Sequence, residues 1–260
     1  MEKLLTLEAP GNACTYEKVF TSGEVMDKPN KIVIMAGGLG ERMGSLTQYV
    51  PKPMLELGGQ PVLERIVRAF VSQGFRDITI SVNYKKELIR DYFGRGEDFG
   101  ANISYLEETE RLGTAGSLSL IPEVPAHPVI VMNGDLITSL HFDSLLQFHA
   151  ERKASATLCV KECTYQLPFG VVNVFDAQVL SIEEKPLNSF FINAGIYVLD
   201  PSLLSWVPEN TYFDITTLFE NLIGKGNAVN SYIVNEFWMD IGQSRDFEKA
   251  RALFAESPRS

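Results

Sequence analysis

Lys31-Ile32-Val33-Ile34-Met35-Ala36-Gly37-Gly38-Leu39-Gly40-Glu41-Arg42 is the stretch on which the fold turns. An unbroken apolar run closed by glycines reads as a parallel strand buried on both faces, not as a half-exposed strand of alternating character. A strand that runs into glycines leaves backbone N–H groups free to curl around phosphate oxygens, although glycine also stands there simply because a tight turn needs positive φ. Two common phosphate motifs are excluded. GxxxxGK[ST] is absent, and GxGxxG fails because Met43 stands where the third glycine belongs.

Downstream, Pro61 opens a run with apolar residues at Val62, Leu63, Ile66, Val67, Phe70 and Val71, closed by Gly74, which is helical spacing with proline first and glycine last. Residues 77–82 read as a second strand. Residues 85–93 read as a second helix, with Leu88, Ile89, Tyr92 and Phe93 inward, and residues 128–133 as another buried strand. The order βαβα predicts an α/β fold: a Rossmann-like, mixed but mainly parallel sheet with right-handed crossovers and helices on both faces. Past residue 153 the β-rich runs 155–160, 170–174, 179–184 and 190–199 are expected to extend the same sheet. Helical spacing returns at 215–223, with Asp214 as N-cap, and at 244–254. No repeat of 20 to 50 residues is present, which excludes a solenoid tail.

Upstream, Glu8-Ala9-Pro10-Gly11-Asn12 and Asp27-Lys28-Pro29-Asn30 are breaker clusters around a stretch without clear period. Residues 1–30 are therefore expected to be a linker or lead-in segment, and 31–255 a single domain. The 260 residues suffice for one α/β domain with a real core. With 23 Lys and Arg against 33 Asp and Glu, the net charge of −10 argues against nucleic acid, while a local cluster of cations could still hold a small anion. Cys14, Cys159 and Cys163 form no CxxC pair, which suits a reducing cytoplasm. No apolar run approaches the length of a membrane span, and the first residues lack an export signal, so neither membrane nor export is expected. His127, His141 and His149 have no metal-ligand spacing and no hydrolase order, and read as structural, as do Trp206 and Trp238. Trp238 lies two positions before Asp240, on the same strand face.

Met35 to Thr47, followed by Pro51-Lys52-Pro53-Met54-Leu55, resembles the opening motif of the sugar-1-phosphate nucleotidyltransferases. Leu112-Gly113-Thr114-Ala115-Gly116, Asn133-Gly134-Asp135, Phe169-Gly170-Val171, Glu184-Lys185-Pro186, Asn193-Ala194-Gly195 and Trp238-Met239-Asp240-Ile241-Gly242 match further family stretches in order. The resemblance, closest to mannose-1-phosphate guanylyltransferase-like bacterial members, covers about residues 31 to 255. It implies the nucleotide-diphospho-sugar transferase fold, a nucleoside triphosphate (GTP on the likeness of the Leu112–Gly116 stretch and Asn133-Gly134-Asp135) and a sugar 1-phosphate as substrates, and Mg2+ as cofactor. UTP, CTP or dTTP remain open as the nucleotide, and the chain is expected to act as a monomer or a homodimer.

By that resemblance Arg42 grips the β and γ phosphates, Lys52 the α-phosphate and Lys185 the sugar phosphate, while Asp135 and Asp240 ligate the metal. Asp135 is thus both catalytic and metal-binding. Ala36, Gly37, Gly38, Gly40, Asn83, Gly113, Thr114 and Gly134 fall where the family holds the nucleotide, and Gly170, Glu183, Glu184, Asn193 and Gly195 where it holds the sugar. Each also has a plainer reading, as a solvated surface cation or as a turn residue after a strand. Glu41 stands where a threonine is common and Ser45 where a proline is common, which replaces a loop hydroxyl by a carboxylate and loosens the loop. Two rivals stay open: a non-catalytic nucleotide-sugar-binding regulatory paralogue, and a glycosyltransferase of related architecture. Residues 1–30 are too short for the paired cystathionine-synthase-like regulatory domains that precede some bacterial relatives.

Overall fold

The structure is a computed structural model that describes residues 26–255 and, as backbone alone, residues 6–9 and 12–15. Within the lead-in, β1 (Thr6–Ala9) and β2 (Asn12–Thr15) pair antiparallel, with Ala9 opposite Asn12. The end of the lead-in is docked on the domain. Lys28 N–H donates to Gly74 O at 2.9 Å, and the Asn30 amide donates to Pro128 O at 2.8 Å.

The body begins at β3 (Ile32–Met35). After the glycine loop come the short pair β4 (Glu56–Leu57) and β5 (Gln60–Pro61), helix α1 (Val62–Ser72), β6 (Asp77–Val82) and α2 (Lys86–Phe93). Then follow β7 (Asn102–Glu107), β8 (Val129–Asn133), β9 (Leu136–Thr138) and α3 (Phe142–Glu151). The second half holds β10 (Ala156–Gln166), β11 (Gly170–Phe175), β12 (Gln178–Glu184), β13 (Leu187–Leu199), α4 (Ile215–Gly224), β14 (Val229–Ile233), β15 (Trp238–Asp240) and α5 (Ser244–Ala255).

Seven strands form the central sheet in the order β14-β10-β13-β8-β3-β6-β7. Pairings are parallel except those that β13 makes with β10 and β8, so the sheet is mixed but mainly parallel. Alternation along the central strands sends Ile32, Ile34, Ile130 and Met132 to one face and Val33, Val129 and Val131 to the other. The first face packs α1 through Phe70 and α3 through Phe142, whose rings stack at 4.2 Å with Phe75 edge-on to both; the second packs α4 through Leu218 and Leu222. Each such fully buried side chain contributes on the order of 1.5–3 kcal/mol. Both faces are covered, which is why the central strands read as unbroken apolar runs.

Three expectations need correction. The runs at 170–174 and 179–184 do not extend the sheet: β11 and β12 pair only with each other, about a two-residue turn in which Asp176 and Ala177 both take positive φ. That turn type closes a tight hairpin, and a self-contained hairpin leaves no strand to offer the sheet. Leu88 and Tyr92 are not inward but 44% and 43% exposed, because α2 buries the narrower stripe of Ile89 and Phe93. Finally, β7, α3 and β14 add elements that the pattern did not disclose. β7 and β14 are sheet-edge strands in which polar residues interrupt the apolar ones.

Candidate active site

The site is built at the carboxyl ends of β3, β6 and β8. Ala36 N–H donates to Ser81 O at 3.0 Å, which holds the start of the glycine loop against the end of β6. Gly37 is required by contact, since a Cβ there would lie 2.6 Å from Oε1 of Glu108; at Gly38 a Cβ would meet nothing within 4 Å. One glycine therefore closes the floor and the next faces open space. Gly40 takes φ +69°, and its carbonyl accepts from Thr47 Oγ1 at 3.0 Å, so the loop folds back on itself. Arg42 and Glu41 are exposed on the crest. The sequence departures at 41 and 45 sit in a 3-10 turn, Glu41–Thr47, broken at Gly44 (φ 59°, ψ −127°).

Pro51 starts the next 3-10 turn, Lys52–Met54, and buries Lys52 beneath the loop, its Cβ 3.2 Å from where a Gly40 Cβ would be. The Lys52 ammonium is ion-paired with the Asp135 carboxylate. Asp135 reaches this point because Gly134 N–H donates to Met35 O at 2.9 Å. A Cβ at Gly134 would sit 2.9 Å from that same oxygen, so glycine alone allows β8 to end so close to β3. Asp240 arrives from the far end of the chain. β15 pairs antiparallel with β9, setting Asp240 opposite Leu136, and Ile241 N–H donates to Asp135 O at 2.9 Å. Burial holds the Asp240 carboxyl above the usual carboxylate range, and the charge of Asp135 adds to this; Lys52 and Arg42 pull the other way. Two carboxylates and two cations from four separate segments thus share one crest.

The Gly113 loop is latched to the start of α4. Gly113 takes φ +78°, and a Cβ there would lie 2.8 Å from Phe213 O. Asp214 Oδ1 accepts from both the N–H and the hydroxyl of Thr114 at 3.1 Å, while Ile215 N–H donates to Thr114 Oγ1 at 2.9 Å. Asp214 stands at the N-cap position but spends its carboxylate on the loop instead of on its own helix. Asn83 lies at the end of β6, its amide donating to Glu110 O at 3.1 Å.

Asn193 and Gly195 are brought to the same crest. Asn193 Oδ1 accepts from Gly195 N–H at 2.9 Å and from the Tyr197 hydroxyl at 3.0 Å, and a Cβ on Gly195 would stand 2.7 Å from Asn133 Nδ2. Trp238 Nε1 donates to Ala194 O at 2.8 Å, which ties β15 to this turn. Gly170, Glu183, Glu184 and Lys185 are instead carried by the β11–β12 hairpin and its exit. Gly170 pairs with Glu184 and Val171 with Glu183, and exposed Lys185 takes φ 48° with its N–H on Phe169 O at 3.3 Å. Among the described residues no hydrogen bond or ion pair joins these four to Asp135 or Asp240.

One residue went unread in the sequence. Glu108 is 7% exposed and accepts from the Ser81 hydroxyl and from Leu112 N–H at 3.2 Å, joining the glycine loop, β6 and the Gly113 loop. Within Glu107-Glu108-Thr109-Glu110 it looks like one more carboxylate of a solvated run, and no local signal marks it out. His149 is structural, as read, with Nδ1 2.9 Å from Thr157 Oγ1. Cys159 and Cys163 are free thiols; Cys14 is described only as backbone, in β2.

As a metal site, the crest offers two carboxylates, and among the described residues no cluster of three His, Cys, Asp or Glu forms. That donor set fits Mg2+, which is commonly held by one or two carboxylates with substrate oxygens completing the shell.

Fold and site together define an α/β protein with a glycine-lined, charge-paired crest at the ends of its parallel strands. The chain belongs to the nucleotidyl transferase family, whose model matches residues 31–257. It is 32% identical over 235 residues to a mannose-1-phosphate guanyltransferase of Yarrowia lipolytica, covering 87% of this chain and 64% of that protein. It is 33% identical over 238 residues to the mannose-1-phosphate guanylyltransferase catalytic subunit beta of Danio rerio, covering 88% and 66%. The chain therefore spans somewhat less than two thirds of these relatives' lengths. Among solved structures it is similar to HddC from Yersinia pseudotuberculosis, at a TM-score of 0.69 and 27% identity over 86% of this chain and 99% of that one. It is also similar to HddC complexed with GMP-PN, at a TM-score of 0.67 and 26% identity over the same shares.

Proposed function

We propose that this chain transfers a nucleotidyl group from a nucleoside triphosphate to a sugar 1-phosphate, giving a nucleotide sugar and pyrophosphate. The observation that carries this reading is the convergence of Arg42, Lys52, Asp135 and Asp240 on the crest that the glycine loop opens. In-line attack by the sugar phosphate oxygen on the α-phosphorus brings two anions together, so the protein's work is positioning and charge neutralisation. In this reading Lys52 would meet the α-phosphate and Arg42 the β and γ phosphates, with Ala36, Gly37, Gly38, Gly40 and Gly134 as the cradle. Asp135 and Asp240 would hold Mg2+, which when bound supplies charge neutralisation at the reacting phosphate and the leaving group. Lys185 would hold the sugar phosphate, and Gly170, Glu184, Asn193 and Gly195 would meet the sugar itself.

GTP is the preferred nucleotide in this reading. Buried Glu108 presents acceptor-only oxygens beneath Gly37, and guanine offers two adjacent donors, N1–H and N2–H2, to such a group. Asn83 and the Gly113-Thr114 loop would flank the base. The similarity to mannose-1-phosphate guanyltransferases supports guanylyl transfer to mannose 1-phosphate. We read residues 31–255 as the catalytic unit, 1–30 as its lead-in, and the cytoplasm, where nucleoside triphosphates are held, as its place; no helix among the described residues is long and apolar enough to cross a membrane.

The test is magnesium-dependent pyrophosphate release from GTP, UTP, CTP, ATP and dTTP against a panel of hexose, aminohexose and heptose 1-phosphates. Release with GTP and mannose 1-phosphate is expected. Nucleotide binding without release from any pair would sink the catalytic reading in favour of a regulatory one.

A further inference from the structure

Beyond the crest, the molecule carries an arm that a lone chain leaves in water. β10 and β13 are longer than the sheet is deep. Residues 156–160 pair with β14 and 196–199 with β8, but 161–166 and 187–192 pair only with each other. From that extension spring β11 and β12, likewise paired only with each other. Large apolar side chains between Tyr165 and Ile192 stand exposed on both faces, among them Phe169 at 74%, Phe175 at 73%, Ile182 at 69% and Phe190 at 58%. With a whole aromatic side chain covering 150–250 Å2, their exposed surface is on the order of 1,500 Å2. Each face, at roughly half of that, still exceeds the ~300–600 Å2 of the largest apolar patch usual on a monomer.

The arm also leaves strand edges open. A two-stranded hairpin is marginal in water, and exposed edges are normally blunted by lysine, proline or bulges. Here β11 carries no charge, and between residues 163 and 192 the only charged residues are Asp176 in the turn, Glu183 and Glu184 at the end of β12 and Lys185 just past it. The blunting devices are a register shift at Asn173/Val174 and the prolines Pro168 and Pro186 at the base of the hairpin, which leave the strands beyond them open.

We propose that this arm is the contact face between two copies of the chain. One face of it, roughly half the exposed area, is close to the ~800 Å2 that each partner contributes to a stable interface, and interfaces between identical chains are the more apolar class. Two-fold apposition sets the same uncharged strands and open edges against themselves, so nothing need be matched in charge. The whole chain carries a net −10, of which residues 163–192 hold a net −2 confined to the turn and the end of β12, so the uncharged strands of the arm are the surface where approach of a second copy is least opposed. An anionic membrane would require basic residues, and the arm offers Lys185 alone over this span. The inference stands independently of which nucleotide or sugar the crest takes.

Sedimentation velocity on the whole chain from about 1 to 100 µM tests it, with a two-chain species expected in that range. The double substitution Val174→Lys with Phe175→Glu, which puts charge on both faces of the arm, is expected to weaken association at least about tenfold, while Leu88→Glu on α2 leaves it unchanged. Hydrogen exchange on the unmodified protein gives an independent reading: on concentration, slowing is expected at 161–166, 170–175, 178–184 and 187–192. A monomer throughout the range, an association indifferent to charge on the arm, or exchange in the arm that does not change with concentration would each overturn the proposal. So would an arm found covered only by some other macromolecule.

Discussion

The ammonium of Lys52, on the turn that follows the glycine loop, is ion-paired with the carboxylate of Asp135, 83 residues along the chain. Lys52 is almost fully enclosed and Asp135 is partly so, which makes removal of one partner costlier than either charge is worth alone. Lys52→Met is expected to lower kcat on the order of 10^2- to 10^3-fold, the usual loss when one preorganised charge is withdrawn from a reacting anion. Asp135→Ala should leave less than about a few per cent of turnover. The unpaired Lys52 lowers stability, but circular dichroism below the melting transition stays native because Asp135, at a strand end, packs no part of the core. Lys52→Met or Asp135→Ala with near-normal turnover would remove the pair from the chemistry.

The Asp214 latch gives a different signature. Its carboxylate fixes the Gly113-Thr114 loop through two hydrogen bonds and does not touch the Lys52–Asp135 pair. Asp214→Ala is expected to raise KM for the nucleotide about tenfold, with the sugar phosphate KM little changed, because a mispositioned loop costs binding on one side only. Asp214→Asn keeps an acceptor oxygen and should restore most of the loss. Equal rises in both KM values would point to general destabilisation instead.

Gly195 is a packing prediction. At φ +70° any other residue is strained, and a Cβ would press on Asn133 Nδ2 at 2.7 Å and Leu136 Cδ1 at 2.9 Å. Gly195→Ala is expected to cost about 2–4 kcal/mol in urea unfolding, from strain and overpacking together. A loss below about 1 kcal/mol would mean that the β13 turn yields easily.

Stability should also depend on pH through His149. It is 4% exposed, and burial holds the imidazole below its ordinary 6.5, with Asp200 pulling weakly upward. The folded chain keeps His149 neutral while the unfolded chain still takes the proton, so the unfolded state binds more protons. Stability is therefore full above about 6.5 and is lost as pH falls through the lowered folded value. Melting temperatures between about pH 7 and pH 5 should fall less steeply for His149→Gln than for the unaltered chain; identical slopes would exclude this contribution.

The local signals account for a good part of these relationships. Val62–Ser72, Asp77–Val82 and Ile215–Gly224 were legible because each buries a regular stripe or run, the first helix bounded by Pro61 and Gly74 and the last preceded by Asp214 at its N-cap position. β7 and β14 were not, since at a sheet edge half the positions face water and the apolar pattern thins. In the loops, glycine at 37, 40, 113, 134 and 195 marked places where a backbone comes close to another segment, and each does so.

By itself the sequence determined the order of elements, the parallel character of the sheet and the residue types of the crest, because these depend on periodicity and on neighbours within a few positions. Only the tertiary structure decided that Lys52, Asp135 and Asp240 meet. It also decided that Glu108 leaves its acidic run for the interior, and that β11 and β12 stand off as an arm while the sheet closes without them. Those outcomes rest on contacts between residues far apart in the chain, whose free energy depends on burial and on the charges that burial brings together, and neither is written in local spacing.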